Sequence, residues 1–266
     1  MAYCSGIPDS EPGNVTFAKL NEAEEVTRMT VTAEATLDPH HTLPIYTKTQ
    51  AAKILSIPAS TFRNWAVGYA YKTLTGSEMV SAPVVTTVER QRANGPSVPF
   101  VGLAEAYIVA AFTHAGVPMQ RIRPAVTWLQ EHVGLEQALA SERLKTDGAE
   151  VLWDFGLHSG DPADRDMIGN LVVIRSGQGV FQGVVQDYLR RVSYQDGWIR
   201  TIQLPSYHDI NVIVDPWLNG GQPTVASRGI PISDILDRRK AGESREDLAY
   251  DYELSLADIL ALEEAN

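Results

Sequence analysis

Apolar positions from residue 47 to 66 fall into two short helical sets separated by a break. Thr47 and Gln50 have the spacing of a capping box, and Ala51, Ala52 and Leu55 then form one small apolar face. The break is Ser56-Ile57-Pro58, after which Phe62 turns back toward the first set while Ser60, Thr61, Arg63 and Asn64 stay polar. This spacing predicts two short helices meeting at a sharp corner. From Pro83 to Phe100 the period changes. Val84 to Val88 are strand formers, Asn94-Gly95 is a turn signal, and Val98 to Phe100 can return alongside, so a hairpin wing is predicted there.

Helical patterns resume over Leu103 to Ala115 and from Pro118 to Gly134, where Ile122, Ala125, Val126, Leu129 and Val133 form a stripe that Pro124 should bend. Asp147-Gly148 and Asp196-Gly197 read as hairpin turns, Leu171 to Ile174 as a buried strand and Val180 to Leu189 as a helix. Beyond Val214-Asp215-Pro216 and Gly220-Gly221 the chain is helical and acidic. One helix is expected from Ser233-Asp234, with Ile235 inward and Gly242 at its end. A second is expected from Ser244 and a third over Leu254 to Leu262. The expected class is α+β, with a polar arm (1–44), a winged helix-turn-helix (45–146), a mixed α/β middle region (147–215) and a small three-helix module (216–266).

Charge sharpens this division. The net charge is −11, yet residues 45–100 hold six basic side chains (Lys48, Lys53, Arg63, Lys72, Arg90 and Arg92) against two acidic ones. Residues 101–266 hold 14 basic and 24 acidic. A local basic surface on an acidic body suits a nucleic-acid contact in one place and a basic partner in another. No apolar run approaches the roughly 20 residues of a membrane span, and no leader pattern opens the chain, so a cytoplasmic location is expected.

Catalytic chemistry finds little to work with. A lone cysteine, Cys4, cannot close an internal disulfide, and no phosphate loop, dinucleotide fingerprint or nucleophile elbow occurs. His40-His41 reads as a solvated pair in the polar arm. His158 with Asp161, Asp164 and Asp166 reads as a solvated acidic loop. No catalytic residue, metal or cofactor is therefore expected.

The corner motif is the strongest local signal. A helix-turn-helix needs small residues where the helices cross, an apolar residue at the turn and polar residues at the start of the second helix. Ala51, Ala52 and Ile57 fit the first two needs; Ser60, Thr61, Arg63 and Asn64 fit the third. Thr47, Lys48 and Thr49 at the start of the first helix, and Arg90 and Arg92 on the expected wing, complete the candidate DNA contacts. A plain helical hairpin with a solvated face would show the same spacing. Two-fold dimers on paired half-sites are the usual arrangement for so small a reading head, so a homodimer is expected.

AAKILSIPASTFRNW resembles the first helix-turn-helix of MerR-type regulators. The stretch from Gly229 resembles a small domain of unknown function common among bacterial antitoxins, through GIPISDIL (229–236), AGES (241–244), LAYDY (248–252) and LSLADI (254–259), with the preceding VDP and GQP. Ala226-Ser227-Arg228 departs from the Gly-Thr-Arg turn of shorter members. The whole arrangement is similar to long VapB-type antitoxins of actinobacteria. That resemblance implies a repressor of its own operon that neutralises a PIN-domain ribonuclease toxin by direct binding. The residues alone leave two other readings open, a MerR-like regulator with no toxin and an enzyme or ligand-binding protein using residues 150–215.

Overall fold

A computed structural model describes residues 37–72, 78–175, 178–207 and 209–265. All belong to the second of two compact units, Leu37–Asn266. The expected arm therefore lies outside the described residues up to position 36. Its last residues take up regular structure, a one-turn helix, α1 (Pro39–Thr42), and the start of a short strand, β1 (Pro44–Tyr46), with His41 buried.

The two expected short helices follow as α2 (Lys48–Ile54) and α3 (Ala59–Val67). Next comes an antiparallel hairpin of β2 (Tyr69–Lys72) and β3 (Glu78–Ser81). The hairpin is therefore made by residues 69–72 and 78–81, not by 83–100. In the latter stretch only β4 (Val98–Pro99) is a strand, and it pairs with β1. The β-branched run at 84–88 is irregular because Val84 and Val85 are buried against neighbouring elements, so tertiary packing overrides strand propensity.

Helices α4 (Phe100–His114) and α5 (Met119–Val133) agree with the expected patterns, and α5 runs through Pro124 without a break. Its five-residue stripe is buried throughout, and Gly134 ends it at φ 72°. Asp147-Gly148 is not a hairpin: it joins α6 (Glu142–Thr146) to α7 (Gly148–His158). Then come α8 (Pro162–Leu171), a hairpin of β5 (Val172–Arg175) and β6 (Gln178–Phe181), and α9 (Gly183–Arg190).

The main sheet is five-stranded and antiparallel. It comprises β7 (Val192–Gln195), β8 (Trp198–Gln203), β9 (Val212–Val214), β10 (Thr224–Val225) and β11 (Ile230–Pro231), in the order β11-β10-β9-β8-β7. The Asp196-Gly197 hairpin is present, with both turn residues at positive φ as a two-residue hairpin turn requires. The chain closes with α10 (Ile232–Lys240), α11 (Arg245–Asp251) and α12 (Leu256–Glu264), the last two capped by Ser244 and Ser255.

One continuous core joins these elements. At its centre is α4, buried from Phe100 to Phe112, as expected of a helix apolar all round. α9 packs along it and β8 reaches it from the sheet side. The helix-turn-helix, sheet and C-terminal helices therefore share one foundation.

Candidate nucleic-acid interface

The corner between α2 and α3 is built from local backbone chemistry. Thr47 Oγ1 accepts the Gln50 N–H at 3.2 Å, and Gln50 Oε1 accepts the Thr47 N–H at 2.9 Å, which is the expected capping box. At the other end Ser56 adopts φ 54°. The Ser56 N–H returns to the Lys53 carbonyl and the Ile57 N–H to the Ala52 carbonyl. This paired closure stops the helix, and Pro58 caps the next. Ala51 and Ala52 are buried where the helices cross; Phe62, Trp65 and Ala66 anchor α3 from beneath.

Ser60, Arg63 and Asn64 are exposed and Thr61 is half-buried, so the front half of α3 presents its polar side chains outward. Its rear is strapped down. The Asn64 carbonyl accepts from Gly68 N–H and from Arg123 Nη2, the Trp65 carbonyl accepts from Val84 N–H, and the Ala66 carbonyl accepts from Thr87 Oγ1. The terminal carbonyls of α3 are thereby satisfied by a loop and by α5. Arg123 also lies over the Tyr69 ring at 5.5 Å, bracing α3 against the strand that follows.

The loop at 82–97 carries Arg90 and Arg92 and is fixed from below. Thr86 N–H donates to Glu105 Oε2 at 2.6 Å, and a Cβ on Gly102 would sit 2.1 Å from the Thr86 carbonyl oxygen. Only glycine lets the loop lie directly on α4 at this point. Farther along, Val88 N–H bonds to the Ser97 carbonyl and Ser97 N–H to that of Tyr46, tying the loop to β1. Arg90 Nη1 donates to the Ala93 carbonyl at 3.0 Å, closing the exposed tip on which Arg92 also sits.

Three of the candidate cations are brought together. Burial lowers the Lys48 ammonium below its ordinary pKa, and the positive charges of Arg90 and Arg63 lower it further. Side chains from α2, α3 and the loop thus lie within electrostatic range of one another, all three of them cationic. Thr47 is committed to its cap, while Thr49 is exposed on the first turn of α2.

Glu105 and Arg123 escaped the sequence reading. The signal for Glu105 was a single acid in the apolar run GLAEAYIVAAF, where burial with a dedicated donor is the rule. Burial pushes this carboxyl up to about 7, partly offset by the Thr86 N–H.

Two other expectations are corrected. His40 and His41 are not a solvated pair: His41 is buried, its Nε2–H donates to the Ile199 carbonyl at 3.1 Å, and burial holds its pKa below the ordinary value. Both imidazoles contact Trp217, over which the Arg200 guanidinium lies at 3.6 Å while pairing with Asp215. Tyr46 donates its hydroxyl to the Gly221 carbonyl at 2.6 Å. These contacts stitch the entry to α2 onto the VDP turn. Nor is 158–166 a solvated acidic loop. Asp161 caps α8, and Arg121 pairs with both Asp161 and the buried Asp164. His158 Nδ1 instead bonds to the Asp154 carbonyl. Among the described residues no group of three His, Cys, Asp or Glu side chains could hold a metal ion, and no helix is long and apolar enough to cross a membrane.

Residues 44–126 match a family described as a putative DNA-binding HTH domain, and residues 212–263 match a protein family of unknown function, DUF433. The protein named "Putative antitoxin VapB45" from Mycobacterium tuberculosis is 41% identical over 212 residues, covering 79% of this chain and 88% of the relative. "Uncharacterized protein Rv2308" of the same organism is 24% identical over 239 residues, covering 81% and 87%. The crystal structure of Rv2018 from M. tuberculosis superposes with a TM-score of 0.72 at 38% identity, covering 83% of this chain and 97% of that one. An exposed helix-turn-helix on a shared core, followed by a DUF433 module, and this extent of identity place the chain in the family of the mycobacterial VapB45 antitoxin.

Proposed function

We propose that the protein is a cytoplasmic antitoxin that represses its own operon and neutralises a PIN-domain ribonuclease toxin by direct binding. α3 enters the major groove; Arg63 and Asn64 read base edges, since arginine pairs bidentately with guanine and asparagine with adenine. Ser60, Thr61, Thr47, Thr49 and the loop cations Arg90 and Arg92 position the helix on the backbone. The observation that carries this reading is the exposed polar front of α3, with Ser60, Arg63 and Asn64 outward and Phe62, Trp65 and Ala66 beneath, within the stretch that matches a DNA-binding HTH domain.

The reading further takes a homodimer on two half-sites as the DNA-binding form and the acidic region beyond residue 147 as the toxin-binding one. The test is quantitative. DNA from upstream of the protein's own gene is titrated beside random duplex of equal length, with wild type, Arg63→Ala and Lys48→Ala. Arg63→Ala should lose affinity for the upstream DNA selectively, and Lys48→Ala should lose it on both. Equal losses for Arg63→Ala on the two DNAs would remove its base-reading role, and no preference of wild type for upstream DNA would remove the repressor reading.

A further inference from the structure

The outer face of the last helix is apolar where a solvated face should be charged. Successive residues of α12 turn by about 100°. Ile259 and Leu262 are buried and Ala261 and Ala265 are half-buried, which defines the inward arc. Leu256, Leu260 and Glu264 lie on the opposite arc, one turn apart, with the leucines 46% and 39% exposed. Ala265 lines a cleft of about 390 Å³ shared with Gln50 and Lys53 of α2 and with Leu236 of α10. Ala265, the C-cap of α12, lies nine positions and so about two and a half turns beyond Leu256, which sets the leucine strip on the side turned away from α2.

The charges around the strip are one-sided. Arg228 pairs with Glu253, Arg238 with Glu243 and Asp251, Arg239 and Arg245 with Glu263, and Lys240 with Asp237. Every basic side chain from Arg228 onward thus has a carboxylate partner within the module, although Arg239 and Arg245 share one, and five basic side chains stand there against ten acidic ones. Glu264, at the end of the strip, and Glu246 are exposed with no ion-pair partner among the described residues. What remains outward is an apolar strip that ends on an uncompensated carboxylate, on a module with a surplus of negative charge.

We propose that this strip is the docking surface for a basic protein partner, one that presents an apolar patch rimmed by lysine and arginine. The inference rests on the antitoxin reading and identifies that partner with the toxin. A second copy is the poorer occupant, because it would bring together two modules that each hold ten acidic side chains against five basic ones. Toxin and DNA would then bind on opposite sides of α12, and the protein could hold both together.

The experiment uses the full-length chain and the purified product of the reading frame beside its gene. Leu256→Asp and Leu260→Asp should each weaken binding of that product by roughly 30-fold or more. Both should leave thermal unfolding and affinity for upstream DNA as in wild type. Glu264→Lys should slow association, with the difference shrinking as salt is raised. If wild type binds the product and both aspartate variants bind it equally well, the strip is not the surface, although the antitoxin reading stands. If wild type binds no such product, the antitoxin reading falls and takes this inference with it. If the aspartate variants instead dissociate wild-type oligomers in sedimentation, the strip holds a second copy and the assignment is overturned.

Discussion

Glu105 offers a sharp test of how the loop carrying Arg90 and Arg92 is held. Its carboxyl is fully buried in α4, receives the Thr86 N–H and is pushed up to about 7 from an ordinary 4.5. Below pH 4.5 folded and unfolded chains both carry the proton, and the full contribution to stability is present. Between 4.5 and 7 the unfolded chain releases its proton while the folded chain retains it, so stability falls as pH rises, and above about 7 this contribution is gone. At about 1.4 kcal/mol per pH unit, the loss across that window is about 3 kcal/mol. Glu105→Gln keeps an oxygen for the Thr86 N–H and removes the ionisation. It also adds an amide donor that needs a partner, at a cost of about 1–3 kcal/mol that does not vary with pH. The expected result is therefore a difference of differences. In urea titrations the variant should gain about 3 kcal/mol on wild type between pH 4.5 and pH 8.5, whatever their order at the acidic end. Other titrating groups contribute equally to both proteins and cancel. Stability curves that stay parallel from pH 4.5 to 8.5 would refute the assignment of a proton to this buried carboxyl.

Gly102→Ala should cost about 1–3 kcal/mol in urea unfolding, because the new methyl meets the Thr86 carbonyl oxygen and must lift the loop from α4; an unchanged midpoint would show that the loop has slack. His41 should add acid sensitivity of the opposite sense. Its folded pKa is depressed, so as pH falls below about 6.5 the unfolded chain takes a proton that the folded chain refuses. Stability is lost with acid there, and NMR titration of the His41 ring should place its transition below that of a histidine in a peptide. Asn64→Ala should weaken binding to upstream DNA by about 1–3 kcal/mol, measured by fluorescence anisotropy beside random duplex. Replacing Arg90 and Arg92 together with alanine should flatten the salt dependence of binding, and an unchanged slope would remove them from the backbone contact.

Local signals in the sequence transferred well to the structure. Thr47 with Gln50, Ser244, Gly134 and Asp196-Gly197 act through neighbours a few residues away, and each cap or turn formed where the residue pattern placed it. Signals that depend on distant chain did not transfer. Val84 to Val88 read as a strand, yet no adjacent strand received it, and its backbone was taken up by Trp65 and Glu105. Asp147-Gly148 has hairpin chemistry but lies where two helices meet. His40-His41 looked solvated because Trp217 and Ile199 are far off in sequence. The cation cluster was half legible: net charge singled out residues 45–100, but only the folded corner shows that Lys48, Arg63 and Arg90 converge while Arg92 stays at the exposed tip.

The stitch between the entry strand and the VDP turn also sets a schedule for synthesis. Tyr46 waits for a carbonyl 175 residues downstream and His41 for one 158 residues downstream. At about 5–20 residues per second, a ribosome needs roughly ten to thirty-five seconds to supply the Tyr46 partner. During that interval the foundation of α2 and α3 is incomplete, with two buried polar side chains lacking their partners. A nascent chain can therefore form α2 and α3 early but cannot seat them until the start of the DUF433 module has emerged. Pulse-labelled chains stalled before Gly221 should bind upstream DNA poorly even though residues 44–126 are all present. Only a nearly finished molecule would then occupy the promoter.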